Sequence, residues 1–203
     1  MDALDLGLIE YRKAYALQKE AVDEVIAGGP ERIFFCEHPA VFTLGRLADE
    51  RYILTPREEL KRRGISVLSI DRGGEVTLHA PGQMVVYPIL DLKRRGKDLH
   101  EYLRRLEGAV IEFLKSYDVA AARNPGKTGV WVGRKKIASI GVGVKKWISY
   151  HGLAVNINTD LGLFSLIKPC GLDVDMTSLA DIKGQAMDFA IARQRFMEII
   201  RAV

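Results

Sequence analysis

Cys170 has the setting in this chain best suited to covalent chemistry: it stands in Lys168-Pro169-Cys170-Gly171-Leu172, directly after the apolar run Phe164 to Ile167. Proline and glycine on either side fix a loop, and loops on a rigid scaffold are where reactive groups are exposed. The other cysteine, Cys36, ends the apolar run Ile33-Phe34-Phe35 and reads as a small core residue. A thiol attacks a carbonyl as its thiolate, so it needs a cation or a base beside it. The stretch Lys135-Lys136-Ile137-Ala138-Ser139-Ile140-Gly141-Val142 offers one. Strict strand alternation puts Lys136 on the more apolar face, with Ala138, Ile140, Val142 and Val144, and leaves Lys135 beside Ser139 and Gly141. Burying a lysine there is costly unless it has a task. Two lysines after the turn Gly133-Arg134 could equally snorkel to water.

A third feature is the run Arg72-Gly73-Gly74-Glu75-Val76-Thr77-Leu78-His79 followed by Ala80-Pro81-Gly82-Gln83. Paired glycines let backbone approach a ligand closely, and their amides can hold a carbonyl or an anion. A β-turn explains the same pair. His38, His79, His100 and His151 show no metal-ligand spacing and there is no Cys-x-x-Cys, so a resident metal is not expected. His79 or His151 could instead complete a Cys–His pair.

These residues need elements to hold them. Leu4, Leu6 and Leu8 alternate as a short strand, and from Tyr11 to Ala27 the period lengthens to that of a helix stopped by Gly28-Gly29-Pro30. Arg32 to Cys36 and Val41 to Leu44 read as strands. Thr55-Pro56-Arg57-Glu58 reads as a capping box opening a short helix that Gly64 closes, and Asp98-Leu99-His100-Glu101 opens a longer one reaching Tyr117, with Leu99 among its inward residues. Strands are expected at Ile65 to Ile70, Glu75 to Leu90, Gly129 to Val132, Lys136 to Val144 and Ile148 to Ile157, and a last helix at about Asp188 to Arg201. Strands in hairpin-like succession with four helices between them imply an α+β fold: a mixed, mostly antiparallel sheet with helices on one face. No linker or repeat interrupts residues 1–203, which read as a single catalytic domain.

The bulk numbers agree with a globular enzyme. The chain has 203 residues, 48% hydrophobic and 28% charged, with a formal charge of +4. That mild basic excess favours an acidic partner and falls short of a nucleic-acid signature. Lys93, Arg94, Arg95 and Lys97, with Arg104 and Arg105, could form a docking surface, or simply a solvated charge run. The first residues lack a basic segment and no run approaches a membrane span, so a cytoplasmic protein, with no membrane partner, is expected.

Taken together, the ordered motifs resemble the lipoyl(octanoyl) transferase family. They run from His38-Pro39 and Thr43-Leu44-Gly45-Arg46 through Arg72-Gly73-Gly74 to His79, Pro81-Gly82-Gln83 and Tyr87-Pro88. Thr128-Gly129-Val130-Trp131, Lys136-Ile137-Ala138 with Ile140-Gly141, and His151-Gly152-Leu153-Ala154 with Asn156 follow. Pro169-Cys170-Gly171-Leu172 and Thr177-Ser178-Leu179 complete the set. Ala80 departs from it, standing where the family usually has glycine. The resemblance implies the fold shared with biotin and lipoate ligases and no cofactor. It implies that Cys170 is the nucleophile, taking an octanoyl group from acyl carrier protein as a thioester, and that Lys136 is its partner. Arg72, Gly73, Gly74, Glu75, Val76, Thr77, Leu78 and His79 would line the acyl site with Ser139, Ile140, Gly141, Gly152, Leu153 and Ala154. Acceptors would be lysines of the lipoyl domains of 2-oxoacid dehydrogenases and of the glycine cleavage H protein. The competing reading is an ATP-dependent lipoate or biotin ligase of the same fold.

Overall fold

A computed structural model describes residues 2–168 and 174–203. The chain alternates strands with helices in the order β1 (Asp2–Leu8), α1 (Tyr11–Ile26), β2 (Arg32–Glu37), β3 (Val41–Leu44), α2 (Arg57–Arg62), β4 (Ser66–Ser69), β5 (Val76–His79), β6 (Gln83–Ile89) and α3 (Leu99–Lys115). It continues with β7 (Ala122–Asn124), β8 (Lys127–Val132), β9 (Lys135–Lys145), β10 (Ile148–Asn156), α4 (Leu179–Lys183) and α5 (Phe189–Ile200). Seven strands form the main sheet in the order β1-β2-β6-β10-β9-β8-β7, and β4-β3-β5 form a smaller one. In the main sheet only β1 and β2 run parallel, joined by α1; in the smaller one β3 pairs parallel with β4 and antiparallel with β5. The α+β reading holds.

The helices do not share one face of the main sheet. Every residue of β6 and of β10 is buried, and a strand apolar on both sides must be covered on both sides. On β2, Ile33 and Phe35 join the core built with α3 and α5, around Leu106, Val110, Phe113 and Phe196. Phe34 and Cys36 turn the other way, to Ala14, Ala21, Val22 and Val25 of α1. A third core, around Phe42, Leu60, Leu78 and Phe164, lies under the smaller sheet. Among the described residues no helix is long and apolar enough to cross a membrane.

Local chemistry sets most element ends. Asp98 caps α3 by accepting from the Glu101 amide at 3.0 Å, and Asp188 does the same for α5 with Ile191. The expected box at α2 does not form: Pro56, extended at ψ 140, occupies the cap position and no side chain caps that helix. Lys146 and Trp147, both at positive φ, turn β9 into β10. Two short elements escape the sequence reading, β7 and α4, the latter capped by Ser178 on the Asp181 amide.

Candidate active site

A cavity of about 450 Å³ lies where the smaller sheet meets the main one. Its near wall is the Arg72–Glu75 loop leading into β5. Gly45 N donates to Glu75 O, Arg46 N to Arg72 O and Leu47 N to Gly74 O, so residues 45–47 lie as a splint along the loop. Gly45 is required there, because a Cβ would come within 2.2 Å of Gly74 O and 2.8 Å of Arg72 NH1. The Arg72 guanidinium is buried and donates to the Thr43 carbonyl at 2.7 Å, to Thr43 Oγ1 and to Gly73 O at 3.0 Å. Gly73 N donates to Val142 O on β9 at 3.0 Å. That amide is therefore spent on holding the loop, rather than available to a substrate oxygen.

Of the acyl-site residues expected from the sequence, Arg72, Gly73, Gly74, Glu75, Val76, Thr77, His79, Ser139, Ile140, Gly141, Gly152, Leu153 and Ala154 line the cavity, as does Lys136. Leu78 does not: it turns into the core of the smaller sheet, on the opposite face of β5 from Thr77 and His79, and Val76 at the strand's start borders both. Ala80, the departure from the family pattern, lies in that same core and not on the cavity wall. Leu99, expected to face inward, is 38% exposed at the cavity instead. Cys170 falls outside the described residues. The chain after it enters the site, since Val174 lines the cavity.

Lys136 is buried at 4% exposure. Its amide donates to Asp175 O at 2.8 Å and its carbonyl accepts from Thr177 N at 2.9 Å, so residues 175–177 run beside it. Its Nζ lies 5.1 Å from the Trp131 ring centroid. Strict alternation fails at this point. Val130 lies opposite Ala138 but Trp131 opposite Lys136, leaving Ile137 as a bulge. Consecutive Ile137 and Ala138 both enter the α3 core, and Lys136 is left to the cavity. Lys135 is half exposed and pairs with Asp181 at 3.8 Å.

Tyr11, His79, Tyr87 and His151 of the cavity lining belong to a polar network that the sequence reading missed, completed by buried His38 and half-exposed Asp71. His38 donates from Nδ1 to Ile9 O at 2.7 Å and accepts from Tyr87 OH at 2.8 Å. His151 donates from Nε2 to Asp71 at 2.9 Å, and its Nδ1 meets Tyr11 OH at 3.3 Å. Burial pushes both histidines down to about 4. His79 donates to Gln83 Oε1 at 2.8 Å, and burial, then the nearby His38, holds it well below the usual histidine range. Burial works to raise Asp71, but hydrogen bonds from His151, Tyr150 and Tyr15 outweigh it and hold that carboxyl below its ordinary range. These imidazoles are neutral near pH 7, and both nitrogens of His151 are occupied, by Asp71 and Tyr11. Nothing near Tyr11 in sequence signals its role; only packing against His38 and His79 places it there. Cys36 lies 3.5 Å from His38 Nε2, and burial pushes its thiol up.

The basic run separates into two kinds of residue. Arg95 is tied to Glu31 by two hydrogen bonds, 2.6 and 2.9 Å long, and Arg104 to buried Glu107, whereas Arg94 stays 75% exposed.

A mixed sheet with a smaller sheet folded over a cavity is the architecture of the ligases that attach lipoate and biotin. A bipartite lipoate protein ligase of Thermoplasma acidophilum, described with its E2 lipoyl domain, superposes with TM-score 0.69 at 18% identity, covering 98% of this chain and 82% of that one. The biotin protein ligase of Aquifex aeolicus, in complex with biotin and ATP, gives 0.63 at 14%, covering 99% and 69%. Residues 10–201 match the lipoyl protein ligase A/B catalytic domain. An octanoyltransferase of Geotalea uraniireducens is 48% identical over 85% of this chain and 78% of its own length. One of Syntrophotalea carbinolica is 45% identical over 96% and 90%. The chain belongs to the octanoyltransferase family and is an acyltransferase.

Proposed function

We propose that this enzyme moves an octanoyl or lipoyl group from acyl carrier protein to a lysine of a lipoyl domain, through a thioester on Cys170. The observation that carries the reading is Lys136, buried at a cavity wall and hydrogen-bonded through its backbone to residues 175 and 177, just beyond Cys170 in the chain. The thiolate of Cys170 attacks the donor's thioester carbonyl, and the tetrahedral intermediate expels the carrier thiol, which takes a proton from Lys136. In the second half the acceptor's amine attacks the new thioester, gives a proton to Lys136, and Cys170 departs as thiolate. The walls named above hold the acyl chain: a cavity of about 450 Å³ is of small-ligand size, and the imidazoles that line it are neutral.

Thioester exchange is close to energy-neutral and amide formation from a thioester runs downhill, so the cycle needs no nucleotide. The E2 lipoyl domain described with the Thermoplasma ligase supports lipoyl domains as acceptors in general; those of 2-oxoacid dehydrogenases and the glycine cleavage H protein are the acceptors proposed. A reducing cytoplasm suits the free thiol. Octanoyl transfer from carrier protein to a lipoyl domain, assayed without ATP or magnesium, tests the reading. Full turnover is expected, and a strict requirement for ATP would replace it with the ligase reading.

A further inference from the structure

We infer that Glu107 is a positioning residue for Lys136, acting through the backbone of Gly129; this rests on the reading of Lys136 as the proton carrier. Glu107 lies on α3 and is fully buried. Its Oε2 accepts from Arg104 NH1 at 2.6 Å and Arg123 Nε at 3.0 Å, and Arg123 also reaches the Arg104 carbonyl. The two arginines are 48% and 44% exposed, so they seal the outer side of the carboxylate. Its other oxygen, Oε1, points inward and accepts the amide of Gly129 on β8 at 3.1 Å.

Gly129 forms one wall of the space that holds the lysine. A Cβ at this position would stand 2.6 Å from Lys136 Cε, 3.2 Å from its Nζ and 2.6 Å from Ala138 O, and the backbone there has φ +136. The last methylene of Lys136 therefore lies flat on the glycine, with the Trp131 ring within 5.1 Å of the ammonium. Gly129 adjoins the bulge where Val130 and Trp131 shift register on β9, and local pairing there is loosened. The Glu107 carboxylate supplies a fixed point from a helix outside the strand pair and so sets where the ammonium sits. Glu107 touches no reacting atom.

The test is octanoyl transfer from carrier to lipoyl domain, with kcat, KM and the pH profile of kcat measured for the full-length protein and for Glu107→Ala, Glu107→Gln, Gly129→Ala and Lys136→Ala. Misplacing a reacting group by about an ångström costs on the order of 10²-fold. Glu107→Ala and Gly129→Ala should each lose about that in kcat, with KM for either partner little changed and the pH profile displaced. Glu107→Gln keeps an oxygen for the Gly129 amide and should recover most of kcat. Glu107→Ala strips a buried carboxylate from two guanidiniums and threatens the fold, and Gly129→Ala meets Lys136 and Ala138 directly. The deciding comparison is therefore Glu107→Ala, with its melting temperature measured, against Glu107→Gln: equal kcat and pH profile in the two overturn the inference. A Gly129→Ala enzyme with wild-type kcat and pH profile, altered only in melting temperature, overturns the inference while leaving Lys136 its role. An active Lys136→Ala overturns the role and the inference together.

Discussion

In the proposed mechanism a lysine acts on the thiol in two ways that differ in size. A free thiol of pKa about 8.5 is a few per cent ionised at pH 7, so lowering it to about 7 gives at most ~10–20-fold more thiolate. Part of that is lost again because nucleophilicity falls with pKa. Positioned proton transfer is worth ~10²–10⁴-fold and should dominate. Arginine keeps the charge but cannot release its proton near neutral pH. Lys136→Arg is therefore expected to be nearly as inactive as Lys136→Ala in steady-state assays. Lys135→Ala, which removes only a half-exposed partner of Asp181, should stay active. Iodoacetamide alkylation of Cys170 against pH reads the thiol separately. Lys136→Arg retaining most activity would reduce the lysine to an electrostatic neighbour.

Among the elements, the loop from Arg72 to Glu75 depends on the absence of a side chain at Gly45, whose Cβ would overlap Gly74 O at 2.2 Å. Neither atom can swing aside, since Gly74 O also accepts from Leu47 N. Gly45→Ala should cost about 1–3 kcal/mol in denaturant unfolding, the usual range for overpacking, and should raise KM for the acyl donor; an unchanged midpoint and KM would show that the splint is slack. Much at this scale was legible in advance: α1, α3 and α5 from their period and stops, and most strands from apolar runs between turn residues. Sequence reading failed where the fold overrides local rules. A continuous apolar run such as β6 signals cover on both faces, but not which helices supply it. The bulge at Ile137 breaks the alternation used to orient Lys136, and it is set by pairing with β8, not by residue type. Tyr11 and Glu107 lie on helices away from the motifs and reach the site only through packing, and Asp71, though it directly precedes Arg72, shows its role only through its partners Tyr15, Tyr150 and His151.

Across the whole molecule, the neutral histidines make stability depend on pH. His38 and His151 stay unprotonated in the fold down to about 4, whereas in the unfolded chain they take up protons near 6.5. Between those values the unfolded state binds more protons, so stability falls as pH drops from about 6.5 to about 4. At 1.36 kcal/mol per unit this amounts to no more than about 3.5 kcal/mol for each histidine. Asp71, with its pKa depressed, adds to the loss only below the ordinary carboxylate range. Melting temperature measured from pH 7 to 4 should decline through this window, and a flat profile would mean that these imidazoles are not buried neutral.

Covalent carriage of the acyl group on Cys170, as proposed, is tested most directly by intact-mass spectrometry after incubation with octanoyl-acyl carrier protein. The wild-type protein and Cys36→Ala should each gain one octanoyl mass, lost again on adding a lipoyl domain, and Cys170→Ala should gain none. An octanoyl adduct persisting in Cys170→Ala, or a wild-type enzyme that transfers the group without ever carrying it, would contradict the account.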